Sequence, residues 1–257
     1  MKPKEWRAFA CSVQGKSHAK RNEPCQDAHA FTVLEGILIF VVADGAGSAS
    51  MGEVGAKIAA STACEAVART IPSTQRDEEA WRKTIMDAVT TARDRMITEA
   101  ESKGGLLREY ACTLMVGVCG LDFITGAQVG DGAIIYLDAE GTGECLIPPS
   151  SGEYINETNF LTAERALELI SFKYIKKDVR KVAAFSDGLQ MLGLKMKEGK
   201  PHLPFFIPLF NFLAAVGDIE SAKRDLQNFL SSDKISARTD DDLTLFLAVL
   251  GRPLEGS

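Results

Sequence analysis

Residues 37–47 read Ile-Leu-Ile-Phe-Val-Val-Ala-Asp-Gly-Ala-Gly. Seven apolar residues in a row, rich in β-branched types and stopped by Asp-Gly, read as a buried strand rather than a helix. The strand delivers a carboxylate, Asp44, to its end. Working outward, strands are expected near Trp6–Val13 and Ala28–Leu34 before it. A helix from about Gly52 to Arg69 follows, with Val54, Ile58, Ala59 and Ala66 on its apolar face. A second runs from about Glu78 to Ser102, carrying Trp81, Ile85, Ala88, Ala92 and Met96 at helical spacing. Strands then come at Cys112–Cys119, Ile124–Val129 and Ala133–Asp138, a polar, turn-rich stretch at Pro148–Glu164, and strands near Glu168–Phe172 and Lys181–Phe185. The most apolar window, Leu203–Val216, is broken by Pro204 and Pro208 and crossed by Asn211, so it reads as a loop entering a buried helix near Leu209–Val216. A helix near Ile219–Leu230 and a strand at Leu243–Leu250 close the chain. Strands in adjacent runs, with the two long helices side by side, predict an antiparallel α+β plan rather than βαβ alternation. No repeat or low-complexity linker interrupts it, so residues 1–257 are expected to form a single domain.

Composition narrows the function. The chain has 257 residues, 46% hydrophobic and 25% charged, with 35 acidic residues against 29 Lys and Arg and a formal net charge of −6. That balance excludes a sequence-independent nucleic-acid binder and a protein docked on anionic lipid, both of which need a basic field. No apolar run of signal-peptide length opens the sequence, and no stretch approaches the roughly 20 apolar residues of a membrane span. The six cysteines form no CxxC pair and no Cys/His zinc pattern. They read as reduced core cysteines of a cytoplasmic protein.

Some of the acidity sits in unusual places. Asp44 precedes Gly45-Ala46-Gly47, Asp131 lies in Val129-Gly130-Asp131-Gly132, and Asp187 follows the strand KVAAFS and precedes Gly188. Asp240, Asp241 and Asp242 stand just before LTLFLAVL, and Asp27 follows Cys25-Gln26. An Asp-Gly at one strand end is ordinary turn chemistry. Five such sites at the ends of apolar strands are another matter. A strand end fixes the Cα, a short side chain has little freedom, and glycine lets carbonyls approach a cation. Hard oxygen donors of this kind suit Mg²⁺ or Mn²⁺.

The segment VVADGAGSASMGEVGA (41–56) resembles the D-G-x-G motif of the metal-dependent Ser/Thr protein phosphatases, the type 2C family. PCQDA (24–28), YACTLMVGV (110–118), VGDGAIIY (129–136), AAFSDGL (183–189) and TDDDLTLFLAV (239–249) resemble its other motifs, in order along the chain. The opening with Gly15, Ser17-His18 and PCQD is similar to a compact bacterial branch. The resemblance implies an α-β-β-α sandwich of two antiparallel sheets with a dinuclear Mn²⁺ or Mg²⁺ site at one end, and a third ion in some relatives. It implies that Asp44 bridges the two ions, that the Gly45 carbonyl helps hold one, and that Asp187 and Asp241 bind the other. Asp131 would hold the third ion, and Asp27 would orient metal-bound water from the outer shell. The nucleophile would be that water, with no catalytic side chain. The implied activity is hydrolysis of phosphoserine and phosphothreonine in proteins, opposite a Ser/Thr kinase. A regulatory pseudophosphatase that binds phosphoproteins, or a hydrolase of small phosphoesters, would use the same fold.

Three positions depart from the family pattern. Ala46 stands where many relatives carry His, and Gln26 replaces the commoner Glu. Asn22 occupies the place of a phosphate-binding Arg, and His18, Lys20 and Arg21 are nearby candidates for that role, of which His18 and Arg21 are the leading phosphate-binding candidates. The segment 148–164 falls where the family carries a variable flap, and Glu153, Tyr154, Asn156 and Thr158 could shape access. His29 and His202 read as packed histidines, and Trp6 and Trp81 as core.

Overall fold

A computed structural model describes residues 5–71, 77–149 and 159–251. Among these, twelve strands and seven helices follow in order. They are β1 (Glu5–Val13), α1 (Lys16–Arg21), β2 (Asp27–Leu34), β3 (Ile37–Asp44), α2 (Gly52–Thr70) and α3 (Glu78–Ser102). Then come β4 (Leu114–Cys119), β5 (Phe123–Val129), β6 (Ala133–Asp138), β7 (Gly143–Ile147), β8 (Ser171–Lys176) and β9 (Val179–Phe185). The last are α4 (Gln190–Gly193), β10 (Leu194–Lys195), β11 (Lys200–Pro201), α5 (Leu203–Ala215), α6 (Ile219–Leu230), α7 (Asp233–Ser236) and β12 (Leu243–Gly251).

Ten strands form two five-stranded sheets, ordered β1-β12-β9-β6-β7 and β2-β3-β4-β5-β8, and β10 and β11 make a small hairpin. Every pairing is antiparallel. The first and last strands meet, with Trp6 opposite Leu250. Strand β3 shows how the layers arise. Its alternate residues Ile39, Val41 and Ala43 pack under α2 and α3. Leu38, Phe40 and Val42 face the other sheet. Strand β12 does the same from the opposite side: Phe246 and Ala248 enter the inter-sheet core, while Leu245, Leu247 and Val249 pack toward α5 and α6. The result is helix, sheet, sheet, helix. Phe40 and Phe246 stack at 4.8 Å in the middle, and Gly117 leaves the room, since a Cβ there would sit 2.0 Å from the Phe40 ring. Truncating such a buried ring typically costs about 3–5 kcal/mol.

Local chemistry starts and stops the elements. The Asp77 side chain caps α3 by accepting from the Ala80 N–H. Buried Ala56, Ala59, Ala60 and Ala63 give α2 a thin face on which α3 and the sheet can lie close. No helix among the described residues is long and apolar enough to cross a membrane.

The structure corrects several expectations. The window at Leu203–Val216 is helical from its start, not a loop. Pro204 lies in the first turn, where an N–H has no partner to lose, and Pro208 removes one bond only. The strand expected near Glu168–Phe172 lies later, at Ser171–Lys176, because Ala166–Glu168 forms a 3₁₀ turn. Leu114, not Cys112, begins β4, and Cys112 makes an isolated bridge with Gly45. Strand β7 and helix α1 had no periodic signal to find them. The positions Glu153, Tyr154, Asn156 and Thr158 lie outside the described residues.

Candidate metal centre

The strand ends that the sequence singled out converge at one end of the sandwich. Asp27 and Asp44 are direct cross-strand partners at the ends of β2 and β3. The backbone around Asp44 is held from both sides. Thr113 N donates to the Asp44 carbonyl at 2.8 Å, and Asp44 N donates to Thr113 Oγ1 at 3.1 Å. Gly45 N donates to the Gln26 carbonyl and Ala46 N to the Ala111 carbonyl. Gly45 itself is required by close approach, since a Cβ would fall 2.6 Å from the Gly52 carbonyl carbon.

Asp187 comes from the other sheet, just past β9. Ser186 ties the sheets together: its hydroxyl donates to Asp27 Oδ2 at 2.7 Å and accepts from Thr244 N at 3.0 Å. Asp131 sits between β5 and β6, where the Gln128 amide donates to the carbonyls of Gly130 and Gly132 and Gln190 donates to the Asp131 carbonyl. Asp241 lies two residues before β12 begins at Leu243. A cleft of about 190 Å³ is lined by Asp44, Gly45, Asp131, Asp187 and Asp241, with Ala46, Gly47, Thr113 and Phe160 and, from α1, Ser17, His18 and Arg21. Asp27 and Gln26 lie behind this lining, buried.

The electrostatics are strained in one direction. Burial drives Asp44 well above the usual carboxylate range, and the Asp27 and Asp187 carboxylates push it further. Burial raises Asp27 to about 7, against the hydroxyls of Ser186 and Thr244, which pull it down. Asp187 is raised by burial and by the charges of Asp131 and Asp241, and lowered by its contact with Asp44. Among the described residues none of Asp27, Asp44, Asp187 and Asp241 has a Lys or Arg ion-pair partner. Buried Oδ1 atoms of Asp27 and Asp187 lack any hydrogen-bond partner. Buried carboxylates without counter-charge are costly. Their all-oxygen donor set fits a hard divalent cation. Among the described residues no three such side chains stand ready-made around one point as a cage.

The departures from the family pattern acquire physical content. Ala46 packs with Ala49, Ala111 and partly buried Phe160, an apolar lip on the cleft. With its nitrogen turned toward them, the Gln26 amide donates to the Gly45 and Ala46 carbonyls at 3.1 and 3.2 Å, which a Glu carboxylate could not do. Arg21 reaches the rim of the cleft, its Nε donating to Glu23 Oε2 at 2.7 Å. His18 lines the cleft but is buried, with Nδ1 2.7 Å from Asp242 Oδ2.

Asp242 is the residue that sequence reasoning noted only as one of a triplet. It is 2% exposed, and its carboxylate accepts from Gly15 N at 2.7 Å and Gln26 N at 2.6 Å. It locks the segment carrying α1 onto the start of β12. The sequence offered no signal to separate it from Asp241, because adjacent residues at a strand end differ only in the face they take. His29 bonds Ser12 Oγ at 3.0 Å, and burial lowers its pKa to about 4. His202 precedes α5. Trp6 and Trp81 are core residues.

Comparison with known proteins agrees with this architecture. The sequence profile of the family described as Protein phosphatase 2C matches residues 14–231. The chain is 37% identical over 252 residues to "Serine/threonine-protein phosphatase 3" of Escherichia coli (strain K12), covering 95% of this chain and 98% of that protein. A crystal structure of a bacterial serine phosphatase superposes with a TM-score of 0.63 at 15% identity, over 97% of this chain and 100% of the other. The serine/threonine phosphatase Stp1 of Staphylococcus aureus gives 0.61 at 15% identity, over 97% of each chain. These two likenesses bear on the fold alone. Fold, motif order and profile together establish that the chain belongs to the protein phosphatase 2C family of Ser/Thr protein phosphatases.

Proposed function

We propose that the chain hydrolyses phosphoserine and phosphothreonine in proteins at a dinuclear Mn²⁺ or Mg²⁺ centre held by Asp44, Gly45, Asp187 and Asp241. The observation that carries this reading is the convergence of carboxylates from both sheets on one cleft, with Asp44 and Asp187 partly buried in its wall and Asp27 buried behind it. Among the described residues Asp27, Asp44, Asp187 and Asp241 have no Lys or Arg ion-pair partner. Asp44 interacts with Asp27 of its own sheet and with Asp187 of the other, and would be the carboxylate that both ions share. Asp187 and Asp241 would hold the second ion, and Asp131, on its own loop, a third. Bound there, the ions supply Lewis acidity, making hydroxide available near neutral pH and offsetting phosphoryl charge.

The chain's own residues do the rest. Asp27, fixed by the Ser186 hydroxyl, is a buried acceptor behind Asp44 that orients water and takes a proton. Gln26 holds the Gly45 carbonyl in line. Arg21 has given its Nε to Glu23, which leaves its two terminal nitrogens for phosphate oxygens. No side-chain nucleophile is needed. The Ser186 hydroxyl is committed to Asp27, and burial holds the thiols protonated, raising Cys11 to about 12 and Cys64 and Cys145 to about 11. With Ala46 on the rim, the leaving oxygen takes its proton from solvent. We further propose that the chain works as one catalytic unit in the cytoplasm, against a Ser/Thr kinase.

Hydrolysis of p-nitrophenyl phosphate and of a phosphothreonine peptide is expected to require Mn²⁺ or Mg²⁺ and to cease with EDTA. Turnover that survives EDTA would overturn the dinuclear reading.

A further inference from the structure

Helix α1 is only six residues long, yet it is both fixed and basic. Ser17 N donates to the Asp240 carbonyl at 2.8 Å, Gly15 N and Gln26 N donate to Asp242, and the His18 ring lies against the same carboxylate. Gly15 is pressed so closely on the strand that a Cβ would fall 2.3 Å from the Asp241 carbonyl carbon. The helix therefore cannot swing away from the cleft without breaking these contacts.

On this platform Lys16, Lys20 and Arg21 are all exposed. Ser17 and Arg21, one turn apart, face the cleft. Lys16 lines a separate small crevice of about 90 Å³ that Asp241 and Thr239 also line. Lys20 lies one turn beyond Lys16 and does not line the cleft. Among the described residues neither lysine has a carboxylate ion-pair partner. The helix dipole rationalises Lys20 and Arg21 in the last turn, but it disfavours a cation at the first position, where Lys16 stands. In a chain of net charge −6, Lys16 and Lys20 put two exposed cations on this short helix beside the acidic cleft, in addition to Arg21, which is paired with Glu23.

We propose that α1 reads acidic side chains next to the phosphorylated residue, so that the substrates handled best are phosphoprotein segments with Asp or Glu beside the phosphoserine or phosphothreonine. This deepens the phosphatase reading above and rests on it. A peptide whose phosphate enters the cleft beside Arg21 lays its flanking residues along α1, within reach of Lys16 and Lys20. Exposed pairs are weak singly, so the preference is graded and sensitive to salt.

The test compares phosphothreonine peptides flanked by Asp, Ala or Lys, with p-nitrophenyl phosphate, which has no flanks, as control. KM is expected to rise from Asp to Ala to Lys, by roughly 3- to 20-fold overall, and the spread to shrink as ionic strength rises. The double variant Lys16→Glu, Lys20→Glu should abolish or reverse the order while leaving p-nitrophenyl phosphate turnover within about twofold of wild type, because neither lysine contacts the phosphoryl group. Fluorescence anisotropy with non-hydrolysable phosphonate versions of the three peptides should give the same order with no turnover required. Absence of all hydrolysis would count against the phosphatase reading, while the anisotropy order would still decide the role of α1. Equal affinity for the three peptides, or an order that survives the double variant, overturns the proposal.

Discussion

The two ends of the sandwich carry the same residue type at strand ends and use it in opposite ways. Asp138 closes β6 at one end. Burial would raise it, but the Lys177 ammonium and the backbone N–H groups of Thr142 and Glu140 outweigh that and hold it below the ordinary carboxylate range. Its Oδ1 accepts from Glu140 N at 3.0 Å and Thr142 N at 2.9 Å, and its Oδ2 lies 3.0 Å from Lys177 Nζ. It is a turn residue, satisfied by the fold. Asp44, closing β3 at the other end, faces Asp27 and Asp187 and is driven the other way. The lesson is that a buried strand-end Asp does not by itself mark a metal centre. What marks one is a buried carboxylate that the protein leaves without a proton donor or counter-charge.

The largest test of this contrast is Asp44→Asn. Metal-dependent turnover of p-nitrophenyl phosphate is expected to fall by roughly 10²-fold or more. The variant should unfold cooperatively in EDTA at a midpoint equal to or above wild type, because one repulsive charge is gone. A near-normal rate would remove Asp44 from the centre.

Metal itself should stabilise the carboxylate end. At about 100 times Kd, Mn²⁺ is expected to add about 2.7 kcal/mol to wild-type stability. Asp187→Asn should lose most of that gain. Titration calorimetry and thermal unfolding with and without Mn²⁺ measure both quantities, and equal stabilisation of the two proteins would break the assignment.

The pH dependence of the metal-free protein carries a sign that the two ends predict differently. Asp27 is raised from an ordinary 3.8 to about 7. A carboxylate raised in the fold favours the folded state when protonated. Its contribution is therefore full below about pH 4 and is lost as pH climbs through about 7. In EDTA, stability by urea unfolding should decline over that window. Saturating Mn²⁺ should flatten or reverse the slope, because the cation favours the ionised form. The lowered pKa of Asp138 works in the opposite direction and at lower pH, its contribution being full above about 4 and lost as pH falls below that, so Asp138→Ala should lower stability across the window without changing the slope.

The smallest effect is expected from Asp138→Ala on catalysis. The substitution strips two backbone N–H groups and Lys177 of their acceptor and lowers the unfolding midpoint, yet turnover per folded molecule should equal wild type. A loss of turnover comparable to that of Asp44→Asn would dissolve the distinction between the two ends.

The sequence carried the carboxylate-bearing end of the molecule better than its periphery. Asp44, Asp131, Asp187 and the triplet Asp240–Asp242 stood out because each lies beside a strongly apolar strand, and such strands announce themselves residue by residue; only the resemblance to the family motif distinguishes Asp241 within its triplet. The helix at Leu203–Ala215 was misread because its two prolines look like breakers until the helix start is known. Strand β7 escaped because an edge strand need bury only part of itself, and Gly143 to Cys145 stay partly exposed.

By itself the sequence determined the order of the main strands and the long helices, the antiparallel α+β plan and the set of carboxylates available for a cation. These rest on local periodicity and on where apolar runs stop. Only the tertiary structure decided which carboxylates meet. Asp27 pairs with Asp44 through strand register, and Asp187 joins them from the other sheet through Ser186. Asp138, identical in local character, is carried to the far end and neutralised by Lys177. It also decided between neighbours: Asp241 lines the cleft, while Asp242 turns inward to hold Gly15, Gln26 and the His18 ring. The physical reason is common to both. The chemistry of a carboxylate is set by the charges and donors within a few ångströms, and long-range packing alone chooses those neighbours.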